Sequence, residues 1–153
     1  MKITNLILII LFFAQLSCGY KIANNLNDYK FKVSDYKLQG DKKLNNILDR
    51  NFKRLNYISD YSKTFELNLT SEVKRSIIAK DTSGDALAYR LKITIEIEVF
   101  ENKNFVNKIL FSEETDYNNN DSKFELKQYE DILIQDLTDQ IITKINNYLS
   151  SIK

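Results

Sequence analysis

Large apolar side chains occupy every second position from Leu87 to Val99, and this pattern constrains the fold more than any other feature of the sequence. Successive side chains of a β-strand point to opposite faces, so the stretch predicts a long strand with one dry and one wet face. A strand of this kind needs cover on one face only. The predicted dry face carries Leu87, Tyr89, Leu91, Ile93, Ile95, Ile97 and Val99.

Three further segments alternate in the same way and are predicted to be strands: residues 29–38, 64–78 and 105–117. Residues 81–85 and 101–104 are polar and are predicted to form the turns between the last three strands. The inward residues predicted for the three segments are Tyr29, Phe31 and Val33; Phe65, Leu67, Leu69 and Val73; and Phe105, Ile109, Phe111 and Tyr117.

Two other segments have helical periodicity. Asp41 is a predicted N-cap, and apolar residues then recur at three- and four-residue spacing over about 15 residues. Ser122 and Glu125 have the spacing of a capping box, which predicts the start of a second helix that runs to the C-terminus. The predicted apolar stripes are Leu44, Ile47, Leu48, Phe52 and Leu55 in the first helix, and Leu126, Tyr129, Leu133, Leu137, Ile141, Ile145, Tyr148 and Ile152 in the second.

The resulting element order, β-α-β-β-β-α, predicts an α+β fold. A helical crossover joins parallel strands and short turns join antiparallel ones, so we expect a four-stranded mixed sheet. Because the strands alternate on one side only, both helices should cover one face, giving a two-layer sandwich whose other face is polar and available to partners.

The N-terminal segment has the features of a bacterial secretory signal. Lys2 supplies positive charge, and residues 6–14 form an apolar run that is too short to span a membrane. Cys18 directly follows the small residue Ser17, an arrangement that resembles a lipobox, in which the thiol receives a diacylglyceryl group. We therefore predict a lipoprotein signal peptide over residues 1–17, lipidation of Cys18, and a single domain over residues 18–153. The alternatives are an ordinary signal peptide with an incidental cysteine, or an N-terminal anchor helix.

Composition excludes several classes of function. The chain has no histidine and one cysteine, which excludes a histidine-containing catalytic triad, a histidine-ligated metal site and an internal disulfide. Its 22 basic and 21 acidic residues give no overall basic field for nucleic acid. Glu96 and Glu98 are neighbours on the wet strand face, where nothing in the sequence makes either a proton donor. We therefore expect no enzymatic activity, no metal and no cofactor.

Four short motifs, in matching order, resemble the lipopolysaccharide-assembly lipoprotein family LptE. They are the acylated start Cys18-Gly19-Tyr20, the opening of the first helix within residues 38–45, the start of the central strand at residues 88–91, and the turn into the last helix over residues 117–124. The resemblance implies an outer-membrane lipoprotein on the periplasmic side, anchored by acyl chains such as palmitate. It also implies a chain that plugs and helps assemble the LptD β-barrel and takes part in inserting lipopolysaccharide into the outer leaflet.

Lipopolysaccharide carries phosphates and acidic sugars, so its contacts should be Lys and Arg side chains. The candidate lipopolysaccharide-binding residues are Arg90 and Lys92 on the wet strand face, and Lys103 and Lys108 beside the following turn. The alternative for these residues is a solvated face that pairs with Glu96 and Glu98 across strands. The alternative for the whole chain is a small outer-membrane lipoprotein that binds another lipid or an envelope polymer, which would need a concave apolar pocket.

Overall fold

The structure, a computed structural model, describes residues 29–152. The predicted signal peptide and Cys18 lie outside these residues. The elements within this range are β1 (Phe31–Gly40), α1 (Lys42–Leu55), β2 (Lys63–Lys80), β3 (Ala86–Glu101), β4 (Asn104–Asn118) and α2 (Lys123–Ser151). The predicted order and the α+β class are confirmed.

The four strands form one mixed sheet in the order β1-β2-β3-β4. β1 and β2 are parallel, and the other neighbouring strands are antiparallel. The two central strands are the longest, and β2, with 18 residues, extends about 60 Å at about 3.3 Å per residue. Both helices cover the same face of this sheet, and the described residues form no layer on the other.

The core lies between the sheet and the helices, where the alternating side chains predicted it. The inward residues of β3 from Tyr89 to Val99 are buried, as are the apolar residues of α1. The N-cap of α1 is confirmed, because the Asp41 carboxylate accepts hydrogen bonds from the backbone N–H groups of Lys43 and Leu44 at 2.8 and 3.0 Å. No helix within residues 29–152 combines the length and the apolar character that a membrane span requires.

Three residues predicted to face inward are exposed instead. Leu87 lies at the start of β3 and Tyr129 in the first half of α2, and both side chains are exposed. Phe105 lies on the opposite sheet face because the register slips between β3 and β4: Val99 pairs with Asn107, whereas Phe100 pairs with Phe105. The extra residue, Val106, forms a β-bulge. One inserted residue reverses the sheet face toward which the preceding residue, here Phe105, points.

Contacts between Arg75, Tyr89, Tyr117 and Glu130 fix α2 to the sheet. The Tyr117 hydroxyl on β4 donates to the Glu130 carboxylate on α2 at 2.5 Å. The Arg75 guanidinium on β2 lies 3.2 Å from the same carboxylate and 3.7 Å from the centre of the Tyr89 ring. Burial and the Glu130 hydrogen bond raise the pKa of Tyr117 well above its ordinary value, so this hydroxyl keeps its proton and its role as a donor.

Candidate functional site

The candidate site is the sheet face opposite the helices, which we call the bare face. Its side chains are the wet half of each alternating strand, and the sheet register aligns them in rows across the strands. On the three antiparallel strands these side chains are Glu66, Asn68, Thr70, Glu72, Lys74 and Ser76; Arg90, Lys92, Thr94, Glu96, Glu98 and Phe100; and Phe105, Lys108, Leu110, Ser112, Glu114 and Asp116.

Arg90 is held by two carboxylates of the neighbouring strand. Its Nε lies 2.7 Å from Asp116 Oδ1 and its Nη2 lies 2.9 Å from Oδ2, a bidentate pair. Glu114 is a further partner at 3.6 Å from Nη1. The hydrogen bond to Asp116 raises the pKa of Arg90 and lowers the pKa of Asp116. An anionic ligand that binds Arg90 therefore has to compete with these carboxylates.

Lys108 joins the two glutamates of the adjacent strand. Its ammonium nitrogen lies 2.7 Å from Glu96 Oε1 and 3.3 Å from Glu98 Oε1. The hydrogen bond to Glu96, followed by that to Glu98, raises the pKa of Lys108. This arrangement is the cross-strand pairing that the sequence offered as an alternative to a ligand contact.

Lys92 has a different environment, because the register places it between Lys74 on β2 and Glu114 on β4. Both side chains are exposed, and neither forms an ion pair with another residue of the described range. Like charges that face each other across strands are unfavourable. An anion bound between the two ammonium groups would relieve that repulsion.

Alternation along β2 predicts that Lys74 lies on the wet face, but it does not predict that Lys92 lies opposite. That pairing can be found by counting from the turn, because Lys74 and Lys92 are each nine residues from Ser83. Lys103 stands apart, in the β3–β4 turn. At about 3.3 Å per residue, the nine residues from Lys92 to the end of β3 at Glu101 alone span about 30 Å. The four predicted cations therefore do not form one cluster.

The bare face also contains an open cleft of about 420 Å³. Its lining is mostly polar and includes Lys37, Thr70, Glu96 and Lys108. In the part of the chain that the structure describes, no three His, Cys, Asp or Glu side chains are grouped so as to hold a metal ion. The chemistry that this face offers is charge pairing and hydrogen bonding.

Comparison with known proteins gives one family and a set of related folds. The sequence model of the LptE family, described as "Lipopolysaccharide-assembly", matches residues 31–149. The comparison with curated proteins gave no match. Among solved structures, rare lipoprotein B from Shewanella oneidensis has a TM-score of 0.53 and 18% identity over 74% of this chain and 95% of its own.

Two other solved lipoproteins are similar in the same way. A minor lipoprotein from Acinetobacter baumannii has a TM-score of 0.51 and 17% identity, covering 78% of this chain and 92% of its own. Lipoprotein B from Nitrosomonas europaea has a TM-score of 0.55 and 12% identity, covering 87% and 91%. At these identities the structural likeness shows the two-layer fold alone.

Proposed function

This chain belongs to the LptE family of lipopolysaccharide-assembly proteins, and we propose that it is an outer-membrane lipoprotein that plugs and helps assemble the LptD β-barrel. In this role it takes part in inserting lipopolysaccharide into the outer leaflet. The observation that carries the proposal is the family match, which extends over nearly all of the described sandwich, residues 31–149. The proposed role is binding and assembly, without a catalytic step.

The bare face supports a position inside a barrel. The interior of an outer-membrane barrel is polar, so a plug needs polar surfaces that can pair with a hydrophilic wall. The bare face has both charge signs interspersed along three strands. The whole chain has nearly balanced charge, with 22 basic and 21 acidic residues. A plug of this composition avoids strong repulsion from either sign of wall charge.

Acylation of Cys18 would anchor the sandwich on the periplasmic side of the outer membrane. Cys18 precedes Tyr29 by eleven residues, which reach at most about 38 Å when extended. The three solved structures with the same fold are described as lipoproteins, which supports the same anchor here. Several acyl chains would hold the protein far more firmly than one.

Within this function, the bare face would contact the phosphates and acidic sugars of lipopolysaccharide through Arg90, Lys92, Lys103 and Lys108. Lys92 is the strongest of the four, because Lys74 faces it and, among the described residues, neither lysine forms an ion pair, although Glu114 lies across from Lys92 on β4. Arg90 and Lys108 would first have to release their carboxylate partners. Lys74 joins the proposed set as a fifth cation.

Affinity purification of the full acylated chain from cell envelopes tests the proposed function. We expect LptD to be recovered with the chain, and we expect much less LptD with Cys18→Ala, because the unanchored protein is displaced from the membrane. Recovery of the chain without LptD would overturn the plug assignment. Capture of a different lipid or an envelope polymer would support the alternative function.

A charge-reversal pair tests the lipopolysaccharide contact. Lys74→Glu should lower the lipopolysaccharide that co-purifies with the chain about as much as Lys92→Glu does, because the new carboxylate pairs with Lys92 across the strands. Lys42→Glu, on the exposed side of α1, makes the same change of charge on the helical layer and is the control. Equal losses in all three variants would exclude a specific contact at Lys92.

A further inference from the structure

One end of the sandwich collects the start of the described chain, the loop between α1 and β2, and the β3–β4 turn; we call it the β3–β4 end. The register shows that these parts meet, since Phe31 pairs with Lys63, and Phe65 pairs with Glu101 beside the turn. The backbone N–H of Ser62 also donates to the carbonyl of Lys30 at 2.8 Å.

The β3–β4 end carries exposed aromatic and apolar side chains. Tyr57 is 88% exposed and Tyr61 46% exposed in the α1–β2 loop. Phe105 is 59% exposed, and the bulged Val106 beside it is exposed as well. The Phe105 ring packs against Phe100 with centroids 5.8 Å apart, which leaves its outer surface facing solvent. Tyr rings are enriched where a protein meets lipid headgroups, and Phe is common on the apolar side of segments that lie in this interface.

Lysines surround these rings. Lys30 and Lys63 form ion pairs with Asp60 and Glu101. Lys32 and Lys103 form no ion pair with any residue from 29 to 152, and the Lys32 ammonium lies 5.6 Å from the Tyr61 ring centroid. Unneutralised lysines beside aromatic rings attract anionic lipid surfaces.

We propose that, while the anchored chain is outside the barrel, its β3–β4 end faces the membrane and holds the sandwich upright on it. Tyr61, Phe105 and Val106 lie at the level of the lipid headgroups, and Lys32 and Lys103 contact their phosphate groups. The proposal rests on the proposed acylation of Cys18, which would place the acyl chains in the same leaflet.

The short segment between Cys18 and Tyr29 allows this end to reach the lipid surface, but not the opposite end. The described chain begins at Tyr29 within the β3–β4 end, and Cys18 is only eleven residues earlier, a reach of at most about 38 Å. The opposite end, the β2–β3 loop, lies about 60 Å away along β2. It also carries the acidic side chains Asp81 and Asp85, which an anionic surface repels.

Lipid quenching of a single fluorophore tests the orientation. The full acylated chain is inserted into vesicles of phosphatidylethanolamine and phosphatidylglycerol that contain headgroup-labelled nitroxide lipid. Cys18 is the only natural cysteine, so Asn104→Cys and its control Ser83→Cys each add one reactive thiol. We expect severalfold stronger quenching at position 104 than at position 83. Equal quenching, or stronger quenching at 83, overturns the proposal.

Two matched substitutions on one strand separate contact from general surface chemistry. Phe105 and Leu110 lie on the same face of β4 and are 59% and 61% exposed. Phe105→Glu should lower the quenching of the 104 label severalfold, whereas Leu110→Glu should leave it unchanged, with thermal unfolding confirming that both variants fold. Equal effects of the two variants would count against a lipid contact at this end.

Vesicle flotation separates this inference from the proposed anchor. Protein that floats with the vesicles but shows no quenching at position 104 keeps its anchor and overturns the orientation alone. Protein that does not float overturns the acyl anchor, and the orientation with it.

Discussion

At the residue scale, Gly40 has no room for a side chain. Its φ of +95° lies in the left-handed region, and a Cβ there would approach the Ser71 carbonyl oxygen to 1.9 Å. The same oxygen accepts a hydrogen bond from the Asp41 N–H at 3.1 Å, and the Ser71 hydroxyl lies 2.8 Å from Asn45 Oδ1. Gly40 thus allows the end of β1, the start of α1 and the middle of β2 to meet.

Gly40→Ala should destabilise the domain by about 3 kcal/mol or more, because the left-handed conformation and a backbone collision both oppose it. Gly84→Ala is the matched control: its φ is +92°, and a Cβ there meets nothing within 4 Å. That variant should lose only about 1 kcal/mol. Urea unfolding of the two variants measures the difference. Equal losses would show that the Ser71 backbone can move away from the added Cβ without loss of stability.

The ion pair between Arg90 and Asp116 predicts how the stability of the domain depends on pH. Its hydrogen bond lowers the pKa of Asp116 below the ordinary value of 3.8. A carboxyl whose pKa is lower in the folded state contributes stability above its unfolded value and loses it as pH falls through the folded value. Arg90→Gln should therefore be less stable than the parent protein at neutral pH, and the difference should shrink below pH 3.8 and disappear once pH is below the lowered pKa of Asp116.

The direct measurement is an NMR titration of the Asp116 carboxyl carbon. Its midpoint should rise in Arg90→Gln, and Arg90→Lys should give an intermediate midpoint because the charge remains while the bidentate geometry is lost. An unchanged midpoint in Arg90→Gln would show that the pair does not persist in solution.

At the element scale, the β3–β4 hairpin departs from a regular ladder close to its turn. Asn102 and Lys103 have positive φ values of 51° and 65°, the combination that a type I′ turn requires. Asn tolerates this conformation through its short polar side chain, whereas for Lys it costs about 1–2 kcal/mol. The bulge at Val106 follows directly and directs Phe105 to the bare face. Strained backbone and an exposed ring therefore occur together at one end of the hairpin.

Lys103→Gly should stabilise the domain by up to about 1 kcal/mol, since glycine relieves the left-handed backbone. It should also weaken the contact at the β3–β4 end, because it removes a cation. Urea unfolding tests the first effect and nitroxide quenching the second. Asn102→Gly is the control and should change stability less. A destabilised Lys103→Gly variant would mean that the lysine side chain itself supports the turn.

At the scale of the whole molecule, the sandwich presents three surfaces of different chemistry. The bare face is charged and polar, and the β3–β4 end is aromatic with lysines. The opposite end combines Ile77, Ile78 and Leu87, all exposed, with the acidic loop that follows β2. A small domain that divides its surface in this way suits a position between a membrane and a larger partner.

Cys18→Ala should mislocalise the protein while the domain stays folded, because the core of the described residues lies between Tyr29 and Leu149. Envelope fractionation measures the location, and circular dichroism measures the fold of the variant. A variant that fails to fold would contradict the division into an anchor and an independent domain.

The order of elements and the buried faces were determined by the sequence itself. Alternation in β3 and the three- and four-residue spacing in α1 are local patterns, and a side chain's direction within one element follows from that element's own geometry. Asp41 was predicted as a cap for the same reason, because capping involves only the next few residues. The alternation that defines the bare face is therefore encoded along each strand separately.

The contacts between elements were decided only by the tertiary structure. The partners of Arg90, and the meeting of Lys74 with Lys92, depend on the register between strands, which no single segment contains. The bulge at Val106 reversed the predicted face of Phe105 because one inserted residue changes the parity of a strand without changing its composition. Leu87 is exposed for a related reason: a strand pattern predicts which way a side chain points, but not how far the layer above it reaches.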